Sequence, residues 1–347
     1  MKITTKEVRY VNSMIDDIIE DYKVNSDVSN RDWRTYEQQV AKRLKTAFNE
    51  LKPLVQKAVH SLHIVKGETR GAKPKLTLEQ KVLVLLLKKL IEKSNRDMSF
   101  LLVVFSWLSG IDVGYKTIER SYSDRSVVLS LYNMHVIILR RRGVKDVDCS
   151  GDGSGYGLSV KENYANEAQK LKETMKTAAG QKKKRGRGKK KRRSRFVYSF
   201  ALMDINTRLY IAYGMSFKSE KEAFLSAMRM VRDMDMEINV ESLRLDKYYQ
   251  QKYVKTLEKQ LGKISFYIIP KKNATVRGCS SWKRMLYDFV NDTDAYLKEY
   301  FQRNQSESGF AGDKRRTGWQ MGQKRPDRVN TANILTGVWH NLYWLAD

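Results

Sequence analysis

The sequence predicts an α/β protein: one mixed five-stranded sheet with helices, preceded by an all-helical N-terminal region. Two observations predict it. Up to Arg142 the apolar residues recur at helical spacing, whereas beyond it short aromatic and β-branched runs alternate with helical segments. In that second part the first three strand-like runs have no helical pattern between them, and the next two are each preceded by one. This reads as an antiparallel hairpin portion continued by strands joined through helices.

Residues 1–67 read as mixed-charge helices whose role is not legible. Residues 68–76 collect glycine, proline and cations without periodicity and mark a linker. Residues 77–143 turn helical again. Thr77, three residues before Gln80, forms a capping-box pattern ahead of VLVLLLKKL. The break SGIDVGY before the basic, aromatic YKTIERSYS fits a helix-turn-helix that reads DNA, and equally a plain helical hairpin.

Residues 144–347 carry the strands. VKDVDCSGD is the first, RFVYSFALMDI and LYIAYGMSF form a hairpin about the turn NTR, and VESLRLD and KISFYIIP follow. Ser219 caps SEKEAFLSAMRMVRDM, YYQQKYVKTLEKQLG ends on glycine, and WKRMLYDFVNDTDAYLKEYFQRNQSE reads as one long helix. Between the first and second strands lies a basic loop at about 161–195. Its run KKKRGRGKKKRRSR holds 11 cations in 14 residues, which cannot pack and suits a sequence-independent arm on phosphates.

The 347-residue chain carries a net charge of +27, which favours a polyanion, nucleic acid before membrane, as partner. Its longest apolar stretches fall short of the ~20 residues needed to span a bilayer, and the N-terminus shows no apolar signal region. A cytoplasmic, nucleoid-associated protein is expected. Cys149 and Cys279 lack zinc-ligand spacing and are read as reduced side chains, and His135 and His340 as satisfied core histidines.

The chemistry-bearing residues are acids. Divalent-metal phosphodiester chemistry needs two or three carboxylates gathered at strand ends and a helix. Asp152 in GDGSGYG, Asp246 closing VESLRLD and Glu307 on the last long helix stand where the layout requires. Asp146 and Asp148 are alternatives to Asp152, which is preferred because its flanking glycines allow close approach of backbone and phosphate. The glycines at 151, 153, 155 and 157 do not meet dinucleotide-loop spacing, and Asp204 is accounted for by its turn. On an ideal helix Tyr300, Arg303, Glu307 and Lys314 fall within roughly 60° of one another, although Gly309 and Gly312 make an unbroken helix through Lys314 doubtful.

Tyr300, Arg303, Glu307 and Lys314 match all four positions of the signature Tyr-x2-Arg-x3-Glu-x6-Lys, and with DGSGYG and LRLDKYY the chain resembles the DDE transposases of prokaryotic insertion sequences, in particular the ISNCY-like group. Ser154 stands where the family's first-acid element has threonine. The resemblance covers roughly residues 80–347. It implies a ribonuclease-H-like catalytic domain in which Asp152, Asp246 and Glu307 bind two Mg2+ or Mn2+ ions, water cuts the element's end, and the released 3′-OH joins target DNA. Tyr300, Arg303 and Lys314 would contact transposon-end phosphates, and a homodimer on double-stranded DNA is expected because two ends must be joined. Lys271, Lys272 and Arg277 are expected to line the DNA path, whereas core or helix packing is the better account of Trp282, Trp319 and Trp339. A nuclease of the same fold without strand transfer and a non-catalytic DNA-binding remnant are the competing functions.

Overall fold

The structure is a computed structural model that describes residues 3–25, 32–62, 74–106, 110–158 and 196–345. Its sheet joins β1 (Asp146–Gly157), β2 (Phe196–Asp204), β3 (Tyr210–Ser216), β4 (Asn239–Arg244) and β5 (Ser265–Tyr267) in the order β3-β2-β1-β4-β5. β1 pairs antiparallel with β2 and parallel with β4, so it is the central strand and the seam between the two modes. The expected mixed five-stranded sheet is therefore present, with its hairpin portion first. β5 is shorter than its apolar run suggested, because KISFYIIP pairs with β4 over Ser265–Tyr267 before Ile268 turns to hydrogen-bond Tyr296.

The N-terminal half is helical as predicted: α1 (Thr5–Ser13), α2 (Ile15–Asn25), α3 (Trp33–His60), α4 (Leu78–Leu90), α5 (Asn95–Val104), α6 (Tyr115–Ser121) and α7 (Arg125–Arg141). Thr77 caps α4 through the Gln80 N–H, and the Gln80 side chain returns the bond. The helix-turn-helix reading falls on α5 and α6, with residues 107–109 outside the described residues. The linker, apart from residues 74–76, and the basic loop from residue 159 also lie outside them.

α8 (Glu220–Asp233) follows β3, α9 (Gln251–Leu261) follows β4, and α10 (Ser280–Asn291), α11 (Thr293–Phe301), α12 (Asn304–Thr317) and α13 (Pro326–Trp344) complete the order. The single long helix expected from WKRMLYDFV onward is instead three. Asp292 leaves the helical conformation and accepts the Ala295 N–H to start α11, and the chain turns again at Gln302 and Arg303. Tyr300 and Glu307 therefore sit on different helices. α12 in turn runs unbroken through Gly309 and Gly312. At Gly309 a Cβ would stand 3.2 Å from the Tyr210 hydroxyl and 3.3 Å from the His340 ring, so the absent side chain lets α12 close onto its neighbours.

α13 is the central helix. It packs on α3, α4, α7, α12 and β3, and its buried residues face every direction. His135 and His340 are both fully buried and hydrogen-bonded, as expected.

Candidate functional site

The two faces of β1 divide the labour of GDGSGYG. The strand extends through the glycines to Gly157 and does not stop at Asp152. Alternation points Ser150, Asp152 and Tyr156 toward α12: the Ser150 hydroxyl bonds Ser306 Oγ at 2.8 Å, Asp152 faces Arg303, and Lys314 Nζ lies 5.2 Å from the Tyr156 ring centroid. The glycines occupy the other face. A Cβ at Gly151 would meet Phe200 at 2.7 Å, one at Gly153 the Glu220 carboxyl at 2.5 Å, and one at Gly155 the Phe196 ring. These glycines thus make room for side chains of the opposite face, a cause different from the close phosphate approach expected of them.

Register brings the second acid level with the first. β1 and β4 are parallel with Ser150 opposite Arg244, and two further residues along each chain stand Asp152 and Asp246. Gly151 and Leu245 keep that level, since a Gly151 Cβ would touch Leu245 Cδ2 at 2.8 Å. Asp246 lies just past the end of β4, where its own chain turns: Lys247 N–H donates to its carboxylate at 2.6 Å and Tyr249 N–H to its carbonyl at 2.9 Å.

The third acid arrives from α12. Arg303 heads that helix, and its Nη2 lies 2.7 Å from Glu307 Oε1 and its Nη1 3.7 Å from Asp152 Oδ1. Tyr300 and Asp246 also lie within electrostatic reach of the guanidinium. Of the other three signature residues, Tyr300 and Glu307 therefore gather around this cation, together with Asp152 and Asp246, and Lys314 does not. Burial pushes the Asp152 carboxyl up to about 6. The negative charges of Glu307 and Glu220 add to the rise, and Arg303 and the Gly153 N–H oppose it. Among the described residues no three His, Cys, Asp or Glu side chains are already closed into a metal-ligating group. Here the guanidinium supplies the positive charge between Asp152 and Glu307.

The alternative acids are engaged elsewhere. Asp148 accepts from Ser242 and lies 3.6 Å from Arg244, and Asp146 accepts from Asn239. Asp204 accepts the Thr207 N–H at 2.9 Å and its hydroxyl at 2.6 Å, which is the turn role expected. Lys271 lies 5.8 Å from the Tyr248 ring, beside Asp246, and Lys272 and Arg277 are exposed on the same loop. Lys314 also approaches the Trp319 ring, at 4.8 Å. Trp282 and Trp339 are core, but Trp319 is 64% exposed, which corrects its assignment to packing. Cys149 and Cys279 are free thiols.

Two residues at this end of the sheet were not singled out from the sequence. Glu220, first residue of α8, lies against Gly153 and accepts the Tyr249 hydroxyl at 2.9 Å. The available signal was their position, each within three residues of a strand-to-helix junction bordering the acids. Among the described residues no helix is long and apolar enough to cross a membrane.

Over 344 residues, 99% of this chain and 97% of the other, the sequence is 36% identical to the probable transposase for insertion sequence element ISA1214 of Archaeoglobus fulgidus. No family model matches the chain. No solved structure matches it with significance.

Proposed function

Because the chain belongs to the insertion-sequence transposases, we propose that it is a DDE transposase built on a ribonuclease-H-like sheet, which cuts the ends of its element and joins the 3′-OH to target DNA. One observation carries this reading. Asp152 on β1 and Asp246 just past the end of the neighbouring parallel β4 stand level, and Arg303 ties Glu307 of α12 to the first of them.

The three acids are the proposed ligands of two Mg2+ or Mn2+ ions. They offer hard oxygen donors, and Asp152, raised mainly by burial with smaller contributions from Glu307 and Glu220, is a carboxylate whose charge a bound cation would stabilise. Such ions, when bound, activate the attacking oxygen and stabilise the leaving one. The remaining chemistry is that of the chain itself. Arg303 orients Glu307 and Asp152, Tyr300 supports Arg303 from α11, and Lys314, with Lys271, Lys272 and Arg277, lies toward the phosphates of the element's end. The basic run 182–195 adds a sequence-independent hold on the backbone. A helix-turn-helix of α5 and α6 would read the terminal repeat, and two copies of the chain would hold the two ends.

The test is a cleavage assay on a duplex spanning the junction between the element and its flank, with Mg2+ or Mn2+, beside Glu307→Gln. Metal-dependent nicking at one junction, followed by joining to a second duplex and absent in the variant, is the expected result. Nicking without joining would reassign the protein as a nuclease, and binding without any cut would make it a DNA-binding remnant.

A further inference from the structure

We propose that Ser150 and Arg244, opposite each other on β1 and β4, are positioning residues that tie both sides of the α11–α12 corner to the sheet and so aim Arg303 and Glu307 at Asp152. The sequence prepares this by spacing. Ser150 stands two residues before Asp152, and Arg244 two before Asp246. Alternation puts Ser150 on the face of Asp152, about 7 Å further back along the strand, and Arg244 reaches the same pair of helices from the neighbouring strand.

Arg244 holds the α11 side of the corner. It closes β4 and is 3% exposed. Its Nε donates to the Glu299 carbonyl at 3.1 Å, its Nη2 to the Glu299 carboxylate, and its Nη1 to the Ser242 hydroxyl, which donates onward to Asp148. Glu299 lies in the last turn of α11, where backbone carbonyls have no partner further along their own helix. A guanidinium fork can grip such a carbonyl and the carboxylate of the same residue together, whereas an ammonium is a point charge without that geometry. Because one bond goes to the backbone, the tie fixes where the helix ends as well as where one side chain points.

Ser150 holds the α12 side. Fully buried, it lies 2.8 Å from Ser306 Oγ and 3.3 Å from the Arg303 carbonyl, and the Ser306 hydroxyl donates to that same carbonyl at 2.8 Å. The stretch between the two ties, Glu299 to Arg303, is where α11 gives way to α12. Arg303 depends on it. Its Nε is buried with no hydrogen-bond partner among the described residues, and its terminal nitrogens face Asp152 and Glu307. The aim of the guanidinium therefore follows from its backbone, and the backbone is what the ties hold. The catalytic half of the proposal rests on the transposase reading; the ties themselves do not.

The experiment uses the full chain with Ser150→Ala, which removes one tie without changing charge, and Arg244→Lys, which keeps the charge and breaks the fork. Hydrogen exchange over residues 299–306, melting temperature, duplex affinity and single-turnover cleavage rate are measured beside the parent. Exchange in the corner is expected to quicken several-fold while β1 and β4 stay as protected as in the parent. Both residues are buried and present nothing to DNA, so affinity should stay within about twofold, while cleavage slows on the order of tenfold, since a shift of ~1 Å in a positioning group can cost up to about 100-fold. Exchange that quickens throughout the sheet in step with a lower melting temperature means a general loss of stability and overturns the proposal. Corner exchange equal to that of the parent, or parental cleavage rates in both variants, overturns it as well. If Arg244→Lys fails to fold, Ser150→Ala decides alone. A parent that cuts no DNA removes the transposase reading and leaves the exchange arm to test the ties, whereas unchanged exchange in a protein that cuts removes the ties and leaves that reading standing.

Discussion

Arg303 Nη1 stands 3.7 Å from Asp152 Oδ1, so a cation from the head of α12 faces an acid in the middle of the central strand. The pairing lowers the cost of a buried carboxylate that two other acids oppose. Removing the guanidinium in Arg303→Ala should move the Asp152 titration upward from about 6, as followed by carboxyl NMR in metal-free buffer. Cleavage should fall at least tenfold, and Arg303→Lys should restore part of it.

Asp152 itself should cost stability at neutral pH. Its carboxyl is held near 6, above the ~3.9 of an unfolded chain. The folded state therefore favours the protonated form. That contribution is complete below about pH 4 and is lost as pH rises through 6. Asp152→Asn is expected to raise the melting temperature by a few degrees at pH 7.5 and to change it little at pH 4. Added Mg2+ should stabilise the parent and leave the variant unmoved.

The glycines of β1 should differ in their tolerance of alanine. A Cβ at Gly151 meets the Phe200 ring, which is fully buried, whereas one at Gly153 meets the movable end of Glu220. Gly151→Ala should cost about 1–3 kcal/mol in urea unfolding, the usual range for overpacking, and Gly153→Ala less. In Gly153→Ala, displacement of Glu220 from the Tyr249 hydroxyl should appear as a change in the tyrosine signal.

Asp313 anchors α12 to β3 and α13 through Tyr210 and His340. Burial alone would raise its carboxyl, yet His340, Arg316 and Tyr210 together hold it below the ordinary value. Such a group stabilises above the unfolded pKa, and the contribution is lost as pH falls through the lower folded one. Asp313→Asn should therefore destabilise by about 3–5 kcal/mol at pH 7, the scale of a broken buried pair, with the deficit shrinking in acid.

Periodicity and capping made most of the fold legible. Alternating strands and the Thr77 and Ser219 caps are local signals, and each is realised. The breaks at Asp292 and Arg303 were missed: Asp292 restarts the helix by a local cap on the Ala295 N–H inside an otherwise helical pattern, whereas Gln302 and Arg303 keep helical backbone angles and carry no breaker residue. Gly309 misled for a tertiary reason: its helical cost is outweighed by close contact with Tyr210 and His340, neither of which is near in sequence. The acids were legible as individual residues because strand ends and a spaced motif flagged them. Their meeting was expected from adjacent strands with the helix laid across them, but the parallel register of β1 with β4 that sets Asp152 and Asp246 level is a tertiary feature.

α13 has a consequence for the order in which the molecule can be made. Its residues fill the space between α3, α4 and α7 on one side and β3 and α12 on the other. Without Pro326–Trp344 the helical half and the sheet would still touch where His135 of α7 meets the Ile211 carbonyl and the Tyr213 ring of β3, but would lose the helix that fills the space between them. The platform that carries Glu307 is expected to stay loose until this helix inserts, and competence to act on DNA should appear together with that insertion.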